Sequence, residues 1–324
     1  VMMVNTQLLI WVSLLAGVQL LVHTQDTYNH RPIIGILAQR PEVHIVTGLD
    51  KKYTSYIAAS YVKFLESAGA RVVPILTYQD NDYYENLAGS LNGILFPGGI
   101  TTIDNSSGYG TAGKILYDYV LRANAKGIYL PLWGICLGMI MVTYLSTNNN
   151  YWYIPCHANN VASSLDLQDG YLDSRMFSQM PATSITYLAT LNVTANFHKM
   201  CLTLQSFEDS GLSDQYKLIA TSWDTPELEY VALLEHRDLP IFTFQFHPEK
   251  NLFEWAVDTQ HSSIPHTPEA VEIAQNFANF FVDQARQNNQ SFKSKEEEEA
   301  ALIYNYQPFY TGATSGFEQC YLFE

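Results

Sequence analysis

Short apolar runs alternate along the chain with longer amphipathic stretches. Ile33-Ile34-Gly35-Ile36-Leu37 is an unbroken apolar run, the pattern of a strand buried on both faces. Between Tyr56 and Ala68, the residues Ile57, Tyr61, Leu65 and Ala68 recur at helical spacing, and Gly69 stands where a helix C-cap is expected. Arg71–Ile75 reads as the second strand and Asn92–Phe96 as the next, stopped by Pro97-Gly98-Gly99. A helix from about Ala112 to Ala125, ended by Gly127, and a strand over Ile128–Trp133 continue the series. This alternation predicts an α/β fold with a mostly parallel central sheet and helices on both faces. Ligands of such sheets bind at the carboxyl ends of the strands.

From about Tyr151 to Ser222 the pattern loosens, which predicts loops and antiparallel strands covering the site. Leu228–Leu234 and Pro240–Phe246 read as consecutive strands. A long helix then opens with Thr267 as N-cap and Pro268 at its first position, and Val271, Ala274, Ala278 and Phe281 form its core stripe. Lys293–Glu299 reads as a solvated charged segment, and the aromatic tail from Leu302 to Phe323 must pack onto the body. No internal repeat or low-complexity linker divides the chain, so residues 25–324 are expected to form a single catalytic domain.

The uncharged apolar stretch Leu8–Val22 is short and close to the start, followed by the polar residues Thr24–His30. It predicts a signal peptide over residues 1–24, although no Lys or Arg precedes it and Val1 stands before Met2 and Met3. The acceptor triplets at Asn105, Asn192 and Asn289 agree with export to a lysosome or the medium, with no membrane association after signal removal. A formal net charge of −15 argues against nucleic acid and anionic membranes as partners. The four cysteines, Cys136, Cys156, Cys201 and Cys320, show no CxxC or Cys/His metal spacing, so no metal site is expected. If Cys136 is a nucleophile, the other three permit at most one internal disulfide.

Candidate chemistry begins at Gly134-Ile135-Cys136-Leu137-Gly138, between a predicted strand and an apolar helical stretch. Flanking glycines there allow a sharp turn that holds the central side chain strained and exposed. The unpaired N–H groups and dipole of the following helix favour a thiolate, and the Leu137 N–H is one oxyanion donor. Pro97-Gly98-Gly99 ends a neighbouring strand and offers further backbone N–H groups for that hole. His247 follows another strand as the best-placed base, and Glu249, two residues on in an extended segment, can orient its ring.

These elements resemble the class I glutamine amidotransferase-like fold, whose Cys-His-Glu triad has this order, and within it the γ-glutamyl hydrolases. The resemblance runs from Pro32–Leu37 through Tyr56–Arg71, Gly93–Gly99, Trp133–Gly138, Ser174–Phe177, Thr194–Lys199 and Gln245–Lys250 to the tail at Ile303–Phe323. It implies Cys136 as nucleophile, His247 as base, an oxyanion hole from Gly98, Gly99 and Leu137, and no cofactor. His198 and Tyr61 fall where the family places residues near the substrate, and Arg175 and Lys199 are carboxylate contacts on charge grounds. The implied reaction is hydrolysis of small-molecule γ-glutamyl substrates, with folate poly-γ-glutamates as the class; a homodimer is left open. Two departures stand out: Ile140 where the family commonly carries an acid, and Ile135 where Thr is usual. They motivate one rival reading, a secreted binding protein on a retired hydrolase scaffold. The other rival is a glutaminase module that feeds a synthase.

Overall fold

The computed structural model describes residues 28–41, 45, 52–224, 227–256 and 261–324. Eight strands form its central sheet: β1 (Ile33–Leu37), β2 (Arg71–Ile75), β3 (Gly93–Phe96), β4 (Leu132–Ile135), β5 (Asp166–Leu167), β6 (Tyr216–Trp223), β7 (Glu229–His236) and β8 (Ile241–Phe244). Their spatial order is β2-β1-β3-β4-β8-β7-β6-β5. The first five in that order pair in parallel, and β7, β6 and β5 complete the sheet as antiparallel strands. All five residues of β1 are buried, as its unbroken apolar run requires.

Helices cover both faces: α1 (Ala59–Ser67) and α5 (Pro268–Ala285) on one, α2 (Asn81–Ala88), α3 (Gly108–Ala125) and α4 (Leu137–Ser146) on the other. Local caps explain several boundaries. The side chains of Asp80, Ser107 and Thr267 accept from the N–H three residues on, starting α2, α3 and α5. Gly69 takes φ +87° just past α1, the conformation expected of a glycine that ends a helix. None of the helices among the described residues is long and apolar enough to cross a membrane. The predicted signal peptide, residues 1–24, lies within residues 1–27, outside the described residues.

Several expected boundaries shift for tertiary reasons. α1 begins at Ala59 rather than Tyr56, because Ser55–Ala58 pairs antiparallel with the tail strand Gln319–Phe323. The expected strand Ile128–Trp133 is β4, starting at Leu132 where pairing with β3 and β8 begins. α2 lies where the sequence reading places no helix, although Asp80 caps it and Tyr84 and Ala88, four residues apart, form its buried face. On α5, Ala274, Ala278 and Phe281 are buried, but Val271 is 37% exposed and Ile273 and Phe277 supply the core contacts instead. Part of the charged run is a short helix, Lys295–Ala301, capped by Ser294 and without buried residues.

Trp133 lies at the centre of the sheet, fully buried, with ring centroids 4.7 Å from Phe244, 4.8 Å from Phe281 and 5.8 Å from Phe64. It thereby joins β4 and β8 to α5 and α1 immediately below the turn that follows β4. Trp133→Ala should cost about 3–5 kcal/mol of unfolding free energy. Denaturant unfolding checks this, and a loss below about 1 kcal/mol would show that the aromatic cluster does not anchor the sheet.

Candidate active site

The turn after β4 forces Cys136 to φ +53°, ψ −107°, a strained conformation for a residue with a side chain, but neighbouring elements bury that side chain rather than leaving it exposed as expected. Neighbours hold it there. Its N–H donates to the Phe244 carbonyl at 2.7 Å, and its own carbonyl accepts from the Ile140 N–H at 3.1 Å as α4 begins. A side chain at Gly134 would lie 2.5 Å from the Gly138 carbonyl oxygen, and one at Gly138 would lie 2.0 Å from that of Phe96. Both glycines are therefore required by close backbone approach, and the tight strand-to-helix turn depends on them.

Because β8 runs parallel beside β4, the segment after it returns to the same end of the sheet. There the His247 N–H donates to the Ala195 carbonyl at 2.8 Å, and Nδ1 lies 2.7 Å from Glu249 Oε1. Both side chains are buried. Nδ1 donates to the carboxylate, which leaves Nε2 for the sulfur of Cys136, whose charge acts on the ring. Burial works against a charged imidazole, but the carboxylate of Glu249 and the sulfur of Cys136 outweigh it and raise the His247 pKa to about 9. The ring is therefore an imidazolium at neutral pH.

Tyr61, projecting from α1, ties this pair to the turn after β3. Its hydroxyl accepts from the Gly98 N–H at 2.8 Å and lies 3.2 Å from His247 Nδ1. Burial first, then the charges of Glu249 and Cys136, push its pKa well above the ordinary range, so it remains a phenol. On the other side of the turn, Gln39 Nε2 donates to the Gly98 carbonyl at 2.6 Å. A side chain at Gly98 would fall 2.6 Å from His247 Cε1 and 3.1 Å from Cys136 Cβ, so bare backbone packs against both. Contrary to expectation the Gly98 N–H is not free, because the Tyr61 hydroxyl already accepts from it. Gly99 and Leu137 remain the candidate donors, Leu137 as the first residue of α4.

His198 lies near enough for the charge of His247 to act on it. Burial first, and then His247, hold its pKa at about 3 against the opposing pull of the Met200 backbone, so the ring is neutral. Its Nε2 is 3.3 Å from Asn196 Oδ1, which also accepts from the Tyr230 hydroxyl at 3.1 Å. The Cys156–Cys201 disulfide packs against its other face, and Cys320 keeps its thiol, buried. Ile135 and Ile140 are buried in the β4–α4 unit.

Arg175 does not join the site. Its Nε bonds Glu235 Oε1 at 3.2 Å, Nη1 the Leu239 carbonyl at 2.9 Å and Nη2 the His236 carbonyl at 2.6 Å. These partners sit between the end of β7 and the start of β8, at the end of the sheet opposite Cys136. Arg175 clamps that turn and has no role as a carboxylate contact beside the nucleophile. Lys199 is exposed.

Comparison with known proteins bears on this geometry. The family model for peptidase C26 matches residues 32–249, which span the elbow, the turn after β3 and the His247–Glu249 pair. The γ-glutamyl hydrolase of Homo sapiens is 40% identical over 295 residues, covering 91% of this chain and 90% of its own. γ-Glutamyl hydrolase B of Dictyostelium discoideum is 34% identical over 318 residues, covering 98% and 88%, and γ-glutamyl hydrolase 2 of Arabidopsis thaliana is 33% identical over 298, covering 91% and 84%.

The packing of the turn after β3 gives a direct test. Gly98→Ala must displace His247, Tyr61 or both, and a misplacement of about 1 Å can cost on the order of 10²-fold in rate. Steady-state kinetics and circular dichroism should show that loss with secondary structure retained. Unchanged kcat/KM would mean that the turn does not set the position of the base.

Proposed function

The chain belongs to the peptidase C26 family and is a hydrolase of the γ-glutamyl hydrolase type, and we propose that it cleaves the γ-glutamyl amide bonds of folate poly-γ-glutamates through a thioester on Cys136. The observation that carries this reading is a cysteine at φ +53° and a buried histidine paired with Glu249 at 2.7 Å, both packed against the bare backbone of Gly98. An amide needs a nucleophile, a proton donor for its poor leaving group and a place for negative charge on the carbonyl oxygen. Here Cys136 is the nucleophile. Its thiolate sulfur attacks the γ-carbonyl carbon, and the resulting oxyanion is met by the Leu137 and Gly99 N–H groups. An oxyanion donor of this kind contributes roughly 10²–10³ in rate.

The His247 imidazolium gives its Nε2 proton to the leaving amine as the C–N bond breaks, leaving a γ-glutamyl thioester. The neutral ring then takes a proton from water, whose oxygen attacks the thioester, and breaking the C–S bond restores thiolate and imidazolium. Glu249 supports both steps by holding the ring and stabilising its charged form. Tyr61 acts on Gly98 and on the His247–Glu249 pair as a positioning residue.

The reading extends to the compartment. Asn105, Asn192 and Asn289 are all exposed, as glycan acceptors must be, and a Cys156–Cys201 disulfide suits an oxidising secretory route.

Two sets of measurements test these proposals. Cys136→Ala should fold normally and release no products from a defined pteroyl pentaglutamate by mass analysis. In the parent, kcat/KM should fall as pH rises through about 9, where His247 loses the proton the leaving amine needs. Glu249→Gln removes a contribution that raises that pKa, so the falling limb should move to lower pH. Turnover by well-folded Cys136→Ala, or an unmoved limb in Glu249→Gln, contradicts the mechanism. Expressed in eukaryotic cells, the protein should start between about Gln19 and His30 and shift on glycosidase digestion. An uncleaved, unglycosylated product contradicts the route.

A further inference from the structure

Beside the proposed active site, three soft or borderline ligand atoms converge in the interior. Cys156, Cys201 and His198 are each more than nine-tenths buried, and their sulfur and nitrogen atoms all lie within 4.8 Å of one another. The sulfurs are joined as a disulfide across 45 residues of sequence. His198 Nδ1 is 3.8 Å from Cys156 Sγ and 3.6 Å from Cys201 Sγ.

The hydrogen bonds around His198 decide which ring nitrogen carries the proton. Asn196 Nδ2 donates to the Thr194 carbonyl, so the amide oxygen of Asn196 is the atom that faces His198 Nε2. That oxygen can only accept, and it already accepts from the Tyr230 hydroxyl. Asn196 thus favours Nε2 as the donor, and in that tautomer the neutral ring presents its Nδ1 lone pair to two sulfurs that carry no proton. A metal-ligating histidine is normally prepared in this way, with its distal N–H held by an oxygen acceptor.

The nitrogen-to-sulfur spacing fits as well. A tetrahedral zinc ion with Zn–S of about 2.3 Å and Zn–N of about 2.05 Å holds its nitrogen and sulfur ligands about 3.6 Å apart. We propose that reduction of Cys156–Cys201 opens a buried Cys2His site for a thiophilic divalent cation of the zinc class, with Cys156 Sγ, Cys201 Sγ and His198 Nδ1 as ligands. Two molecules of a small thiol supply two electrons and two protons to the protein disulfide and leave as their own disulfide. The cation then displaces the two thiol protons, and a fourth coordination position is left for water or an anion. The site does not depend on the hydrolytic reading above, although its place beside His247 would put a fixed charge next to the proposed base.

Cobalt(II) is the probe, because thiolate ligation gives it charge-transfer absorption that oxygen and nitrogen ligands do not. The full-length Cys136→Ala protein, reduced with a phosphine and freed of it without air, should bind one equivalent with thiolate charge-transfer and tetrahedral visible bands. Those bands should be absent before reduction and in Cys201→Ser, and unchanged in Cys320→Ser. Asn196→Ala should bind about 10–100-fold more weakly, as expected for loss of a ligand's supporting acceptor. Absence of the bands in folded, reduced protein overturns the proposal, as does their survival in a Cys156→Ser/Cys201→Ser double variant. Loss of near-ultraviolet circular dichroism on reduction also overturns it, because the site requires a folded dithiol form.

Discussion

A carboxylate with no exposed surface, Glu249, needs a positive partner inside the protein, and His247 is that partner at 2.7 Å. An unpaired buried carboxylate costs several kcal/mol, so the pair holds together and the imidazole keeps its proton. Other features of the site follow from satisfying that pair. Tyr61 stays a phenol beside it, the Gly98 N–H is fixed by Tyr61, and Gln39 fixes the Gly98 carbonyl. Bare backbone at Gly98 then lets the turn lie against Cys136 and His247 together.

Support for this arrangement extends past residue 249, where the family match ends. Tail residues Gln319–Phe323 pair with Ser55–Ala58, and that strand runs straight into α1, which carries Tyr61. Tyr56 within the strand exchanges backbone hydrogen bonds with Gln39 in both directions. The Glu318 N–H donates to Glu254 Oε2, and Phe317 packs under the ammonium of Lys250, directly after the Glu249 carboxylate in sequence. The aromatic tail thus packs onto the body as its composition demanded, and it lands on the elements that position the base.

What was legible in the sequence was locally encoded. Gly134 and Gly138 around Cys136, Pro97-Gly98-Gly99, and His247 two residues before Glu249 each carry their geometry within a few residues, and the structure brings these groups together. Residues 248–249, however, form a turn into the short helix Lys250–Phe253 rather than the extended segment expected. The parallel sheet was legible for the same reason, through strand-length apolar runs such as Ile33–Leu37. Readings that failed depended on distant partners. Charge marks Arg175 as a carboxylate binder but does not say which end of the sheet it occupies, and there it meets Glu235 and three carbonyls. Helical spacing from Tyr56 could not reveal that residues near 320 claim Ser55–Ala58 as a strand. The Cys156–Cys201 pairing and the role of Gln39 likewise rest on contacts across tens of residues, although a polar residue just past the end of β1 was a usable sign for Gln39.

The protonation state of His247 tests the central claim most directly. Nitrogen-15 NMR of the side-chain imidazole in the parent and in Glu249→Gln would report it. The account predicts a ring that stays protonated through neutrality and titrates near 9 in the parent, with a lower value once Glu249 is neutralised. A His247 that titrates at or below the ordinary value of about 6.5, with or without Glu249, would contradict it.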